Sequence, residues 1–128
     1  MPQNRESGAQ ANEYGRVTAH KIAEALGATP TSKTSNEFEL NGRKITIRCA
    51  RSTTTNFGMT FKMLERVDSI LGAVEQENGT YEVYELSPKV FAENMRDTRS
   101  QGPSAGKVGL VNRSLFVSQG RYLRVVEI

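Results

Sequence analysis

Residues 37–50 run Glu37-Phe38-Glu39-Leu40-Asn41-Gly42-Arg43-Lys44-Ile45-Thr46-Ile47-Arg48-Cys49-Ala50, two alternating segments around an Asn-Gly pair. Asn-Gly favours a type I′ turn, because both central residues must adopt positive φ. A two-residue turn sets Leu40 against Arg43, Glu39 against Lys44, Phe38 against Ile45 and Glu37 against Thr46. The period of two then gives the hairpin an apolar face: Phe38, Leu40, Ile45, Ile47 and Cys49. Its polar face carries Glu37, Glu39, Lys44, Thr46 and Arg48.

Outward from the hairpin, the pattern alternates between helices and strands. Ala19, Ile22, Ala23 and Leu26 form a helical stripe, so a helix is expected from after Asn12 to Leu26, stopped by Gly27. His20 borders that stripe. Residues 1–11 are polar and aperiodic and read as a disordered tail, leaving 12–128 as a single domain. Thr29 to Ser35 reads as a loop, as does Arg51 to Asn56; Thr60 to Val67 fits a short helix and Ile70 to Val74 a buried strand. Asn78-Gly79 predicts a second hairpin into Tyr81–Leu86, and its simplest register sets Glu75 against Glu82. Ser87-Pro88 starts a helix that carries Val90, Phe91 and Met95 and ends near Arg96. A polar segment from Arg96 to Lys107 precedes a strand at Val108–Val111. Asn112–Gln119 is a short helix ended by Gly120 or another strand, and Tyr122–Ile128 is the last strand. The expected class is α/β (α+β), a mixed central β-sheet built from hairpins and flanked by helices.

Composition narrows the chemistry. A chain of 128 residues matches the size of one domain. The single cysteine, Cys49, excludes an internal disulfide and every multi-cysteine zinc pattern, and its apolar-face position reads as core. One histidine, His20, argues against a His-based metal site or a Ser-His-Asp triad. No stretch approaches the ~20 apolar residues needed to span a bilayer. The first residues lack the apolar core of a signal peptide, so no membrane contact and a cytoplasmic location are expected. Net charge is +3, unevenly placed. Arg43 to Arg66 holds six basic residues against Glu65; Asp68 to Glu93 holds six acids against Lys89; Arg96 to Arg124 holds six basic residues against Asp97. Basic segments brought together by the fold would suit phosphate; left apart, they solvate separate faces.

The hairpin's polar face gathers carboxylates and cations in a small patch. Mg²⁺-dependent nucleases need such a cluster: carboxylates hold the metal and a nearby cation assists at the phosphate. In layout the chain resembles the restriction-endonuclease-like superfamily, the PD-(D/E)XK nucleases, over roughly residues 16 to 86. A helix precedes a hairpin, Glu39 lies on its first strand, and Ile45 to Ser52 resembles the strand that carries the family's acid-X-Lys triplet. The triplet here reads Thr46-Ile47-Arg48, with Thr46 in place of the acid and Arg48 in place of the lysine. The resemblance implies a mixed sheet of that type and duplex DNA as partner. It also implies either a divergent Mg²⁺-dependent DNA endonuclease or a degenerate relative that binds without cleaving. In an active form Glu39 and Glu37 would hold Mg²⁺, and Arg48 or Lys44 would stabilise the phosphorane charge. The same residues equally fit an ordinary solvated hairpin, with Glu39–Lys44 as a cross-strand ion pair.

Two polar loops carry phosphate-contacting residue types. Arg51, Ser52, Thr54 and Asn56 follow the second hairpin strand; Arg96, Arg99, Ser100 and Lys107 lie in or beside the long polar segment, with Arg113 beyond it. Gly102 to Lys107 departs from a phosphate loop because Val108 follows the lysine, which argues against an NTPase. The alternative to a nucleic-acid function is a non-catalytic protein-interaction or homo-oligomeric module, a homodimer being the simplest case. Its acidic pair of strands, Glu75 to Glu85, would then meet basic segments of another chain.

Overall fold

The computed structural model describes residues 5–31, 36–51, 55–97 and 108–127. Helix α1 (Arg5–Leu26) starts earlier than its apolar stripe suggests, inside the stretch expected to be a tail. Glu6, Ala9, Gln10 and Ala11 are good helix formers and extend the helix once its packed half exists. Its end is a Schellman motif: Gly27 has φ 82°, its N–H donates to Glu24 O, and Ala28 N–H donates to Ala23 O. A two-residue strand, β1 (Thr29–Pro30), follows where a loop was expected.

The hairpin forms as its sequence dictates. Strands β2 (Glu37–Leu40) and β3 (Arg43–Ala50) pair antiparallel, with Leu40 opposite Arg43 and Glu37 opposite Thr46. Asn41 and Gly42 both take positive φ, 54° and 77°, as a type I′ turn requires. The chain continues through β4 (Asn56–Thr60), α2 (Phe61–Arg66), β5 (Ser69–Glu75) and β6 (Thr80–Leu86). Then come α3 (Pro88–Asn94), β7 (Arg96–Asp97), β8 (Val108–Asn112), α4 (Arg113–Gln119) and β9 (Arg121–Glu127). Ser87 caps α3 by accepting Val90 N–H. Asn112–Gln119 thus resolves as helix. Besides β1, the additions are β7, at the start of the polar segment, and β4, whose residues 57–59 were given no element by the pattern.

The central sheet is mixed, six strands in the order β1-β2-β3-β5-β6-β9, and β4-β8-β7 make a smaller antiparallel sheet. Within the larger sheet β3 and β5 are parallel, Ile45 beside Ser69 through Ala50 beside Val74, and the other pairings are antiparallel. Helix α1 covers one face: Ala19, Ile22 and Ala23 pack on Phe38, Ile45, Ile47, Leu71, Ala73 and Val83. The opposite face, through Ala50, Ile70, Val74, Tyr84 and Leu86, packs on Phe57, Met59, Met63, Phe91, Val111 and Phe116. With both faces covered, β5 is buried at every position from Ser69 to Val74, the expected reason for its near-continuous apolar run. At one end of the sheet Glu85 ties four strands: it accepts from Ser69 Oγ (2.7 Å), Arg43 Nη1 (3.2 Å) and Arg121 Nη2 (3.0 Å).

The second hairpin departs from its simplest register. Glu75 stands opposite Tyr81 and Glu82 opposite Val74, so the two glutamates do not face each other. Gln76 N–H donates to Thr80 O, and only Gly79 of the turn has positive φ (82°), which makes the loop Glu77-Asn78-Gly79. This is the three-residue hairpin with a left-handed glycine. Asn78 spends its side chain on Thr80, accepting from the backbone N–H and from Oγ1. The shift removes a like-charge pair from the ladder.

Packing at Gly72 is close: an added Cβ would sit 2.7 Å from Phe116 Cδ2, and Phe116 is fully buried. Gly72→Ala should cost about 1–3 kcal/mol in urea unfolding, because the ring has nowhere to withdraw. Gly15, on α1, is the opposite case, since a Cβ added there would meet nothing within 4 Å. Gly15→Ala should stabilise by about 0.5–1 kcal/mol. Equal midpoint shifts of the same sign for the two variants would refute this packing.

Candidate functional site

Register places Glu37, Glu39, Lys44, Thr46 and Arg48 on the sheet face that receives β4 and α2. The crossover covers part of that polar face. Thr46 is fully buried and donates its hydroxyl to Asn36 O at 2.8 Å. Glu37 is half-buried and accepts from Arg66 Nε at 3.1 Å. Arg48 donates Nε–H to Met59 Sδ at 3.2 Å. Burial pulls the Arg48 guanidinium below its ordinary value, opposed by Cys49 and Glu37. Glu39 and Lys44 are exposed and opposite each other, but the ion pair expected between their side chains does not form. Asp68 anchors the Lys44 backbone instead: Lys44 N–H donates to Asp68 Oδ2 (2.9 Å) and Asp68 N–H to Lys44 O (2.7 Å).

Glu37, Glu39 and Lys44, with Glu65 and Arg66, border a groove of about 410 Å³; Thr46 and Arg48 are not part of its lining. Its three carboxylates do not converge: among the described residues no group of three acidic, histidine or cysteine side chains is placed to hold a metal ion. Mg²⁺ takes oxygen ligands in a tight octahedron, usually from one or two carboxylates. Thr46 brings no charge where the family triplet has its acid, and Glu37 is already engaged by Arg66. The donor set at this hairpin therefore fits Mg²⁺ poorly. Arg66 and Glu65 were not singled out by sequence, since their place beside Glu37 depends on how the crossover packs.

A second polar cluster lies on the smaller sheet. Arg96 Nη2 donates to Asn56 Oδ1 at 2.8 Å and Nη1 to Asn112 Oδ1 at 3.4 Å, reaching across from β7 to β4. Arg113 N–H donates to Thr55 O, which brings Arg113 beside the same strand ends. Asn56, Arg96 and Arg113 thus come together, joined by Asn112, which sequence alone did not mark. Arg51 is exposed at the end of β3. Ser52, Thr54, Arg99, Ser100 and Lys107 lie outside the described residues. Lys44 lies near the start of β3 and Arg51 just past its end. Lys44 and Arg51 are seven residues apart along the chain, roughly 23 Å at 3.3 Å per residue.

Cys49 lies on the α1 face, and burial pushes its thiol up to about 12, against the opposing effect of Arg48. A thiol held protonated in the fold loses stability as pH rises from about 9 toward 12, where the unfolded chain ionises first. At pH 8 the native chain should resist Ellman's reagent and react promptly in urea; equal rates in both would reject a buried, inert Cys49. No helix among the described residues is long and apolar enough to cross a membrane. No protein-family model matches the chain, and no curated protein matches it either.

Proposed function

We propose that this chain binds nucleic acid, duplex DNA in the first instance, as a restriction-endonuclease-like relative whose hairpin positions phosphate without cleaving it. Support for the layout comes from the order of elements. A helix leads into the hairpin, and the next strand of the same sheet, β5, lies beside the strand that carries the Thr46-Ile47-Arg48 triplet. Support for the loss of cleavage comes from Thr46 and Glu37, the first uncharged and buried, the second committed to Arg66.

Arg48 carries the binding reading. A guanidinium has five N–H donors and keeps its charge in proteins. Among the described residues the hydrogen bond Arg48 makes is to Met59 Sδ, and a thioether is a weak acceptor. A largely buried cation in that state gains most from an anionic oxygen that takes up its remaining donors. The phosphodiester backbone offers such oxygens. Arg96, oriented by two neutral amides, would add a second contact.

Fluorescence anisotropy with a labelled duplex, in EDTA and over a salt series, tests this reading. Binding should weaken steeply as salt rises, since each phosphate contact releases counterions. Arg48→Gln should weaken binding about 10- to 100-fold, as expected for a charge-assisted contact of about 1.5–3 kcal/mol. Glu39→Ala should leave affinity within about twofold, the scale of an exposed charge. Mg²⁺ or Mn²⁺ should produce no cleavage. Absence of binding at low salt would overturn the function, whereas metal-dependent cleavage abolished by Glu39→Ala would overturn the loss of activity.

A further inference from the structure

The six-stranded sheet ends on two unlike edges. β1 is two residues long and includes Pro30, which has no N–H to offer a further strand. β9 spans seven residues, contains no proline, and pairs with β6 along one side. Among the described residues no strand lies on its other side. An edge of that length is a template for another chain unless charge or coverage guards it.

Apolar side chains gather at this edge. Tyr122 and Val125 on β9 are 51% and 42% exposed, two of the four large hydrophobic residues exposed among those described. A register irregularity in the β6–β9 pairing sets Tyr122 opposite Tyr84 and Val125 opposite Glu82. Tyr84 and Glu82 are two positions apart on β6, so Tyr122 and Val125 share one sheet face although they are three positions apart. The same strand carries Arg121, paired with Glu85, at its start, exposed Arg124 near its middle and Glu127 at its end.

That pattern is self-complementary in one direction. A parallel neighbour of the same sequence would set like charges side by side at both ends. An antiparallel neighbour, related by a two-fold axis between Leu123 and Arg124, places Tyr122 of one copy opposite Val125 of the other, twice. The same arrangement brings Arg121 of each copy to the Glu127 end of the other. A single surface supplying both halves of each contact is the signature of a two-fold homodimer. We propose that this chain dimerises through antiparallel pairing of β9 with β9 of a second copy, continuing the sheet across both subunits. This stands apart from the nucleic-acid reading, and its test contains no nucleic acid.

Sedimentation velocity from micromolar to millimolar protein should show a concentration-dependent dimer. Val125→Lys, an exposed edge change that buries nothing new, should keep the chain monomeric over that range with an unchanged circular dichroism spectrum. In a second measurement, chains carrying Tyr122→Cys are mixed with chains carrying Val125→Cys under mild oxidation; Cys49, held protonated by burial, stays silent. The mixed disulfide should exceed either self-linked product. A wild-type chain that remains monomeric, a dimer that survives Val125→Lys, or predominant Tyr122→Cys self-linking would each overturn the proposal.

Discussion

Six residue pairs join β3 to β5 in parallel, and most of the molecule is arranged around that requirement. Parallel neighbours cannot be joined by a tight turn, so the chain has to leave the sheet after Ala50 and come back at Ser69. It does so through β4 and α2, which settle on one face and recruit β8, β7 and the later helices to that side. Helix α1 takes the other face. A strand buried on both sides must be apolar throughout, which is how β5 reads, and Gly72 allows the Phe116 ring to rest against its backbone.

The crossover also decides what the hairpin's polar face can do. An open face with carboxylates at Glu37, Glu39 and residue 46 would suit a cation. Here Met59 and Arg66 come down on it, so residue 46 is fully buried and Glu37 partly so. A carboxylate at the depth of Thr46 would need a metal, a proton or a cation to offset its desolvation. A threonine hydroxyl is satisfied by one backbone carbonyl, and Asn36 O provides it. A threonine at position 46 and the covering of this face are thus mutually consistent: the residue present is the one that tolerates enclosure.

Much of this was legible because it is local. Asn41-Gly42 sets turn type and length together, so the first hairpin follows in register and face. Asn78-Gly79 is the same dipeptide with a different outcome, because Asn78 can bond Thr80 through its side chain and need not enter positive φ. The choice between two-residue and three-residue loops depends on that competition, which the dipeptide alone does not encode. Strand β4 escaped notice because Phe57-Gly58-Met59 is short and its partner β8 begins 48 residues later, at Val108. At the candidate site the identities and shared face of Glu37, Lys44 and Arg48 were readable from the period of two. The partners Arg66, Met59 and Asn36 were not, since each arrives from outside the hairpin.

Charge behaves in the same way, and this bears on where a polyanion would meet the molecule. The run from Arg43 to Arg66 looks strongly basic as sequence, yet folding compensates its ends: Arg43 pairs with Glu85 and Arg66 with Glu37. Arg121, in the second basic segment, also goes to Glu85. Such exposed pairs add little stability, on the order of 0–1 kcal/mol, but they cancel field where it would otherwise attract phosphate. Arg96 is different. Its guanidinium is fixed by Asn56 and Asn112, neutral acceptors that orient the group without cancelling its charge. Arg48 faces a thioether, and the Glu37 carboxylate partly offsets its charge. Counting basic residues along the chain therefore overstates the positive charge that the fold leaves unpaired. At the hairpin end Glu85 answers Arg43 and Arg121 together while Lys44 stays exposed, and at the smaller sheet Arg96 keeps its charge between two amides.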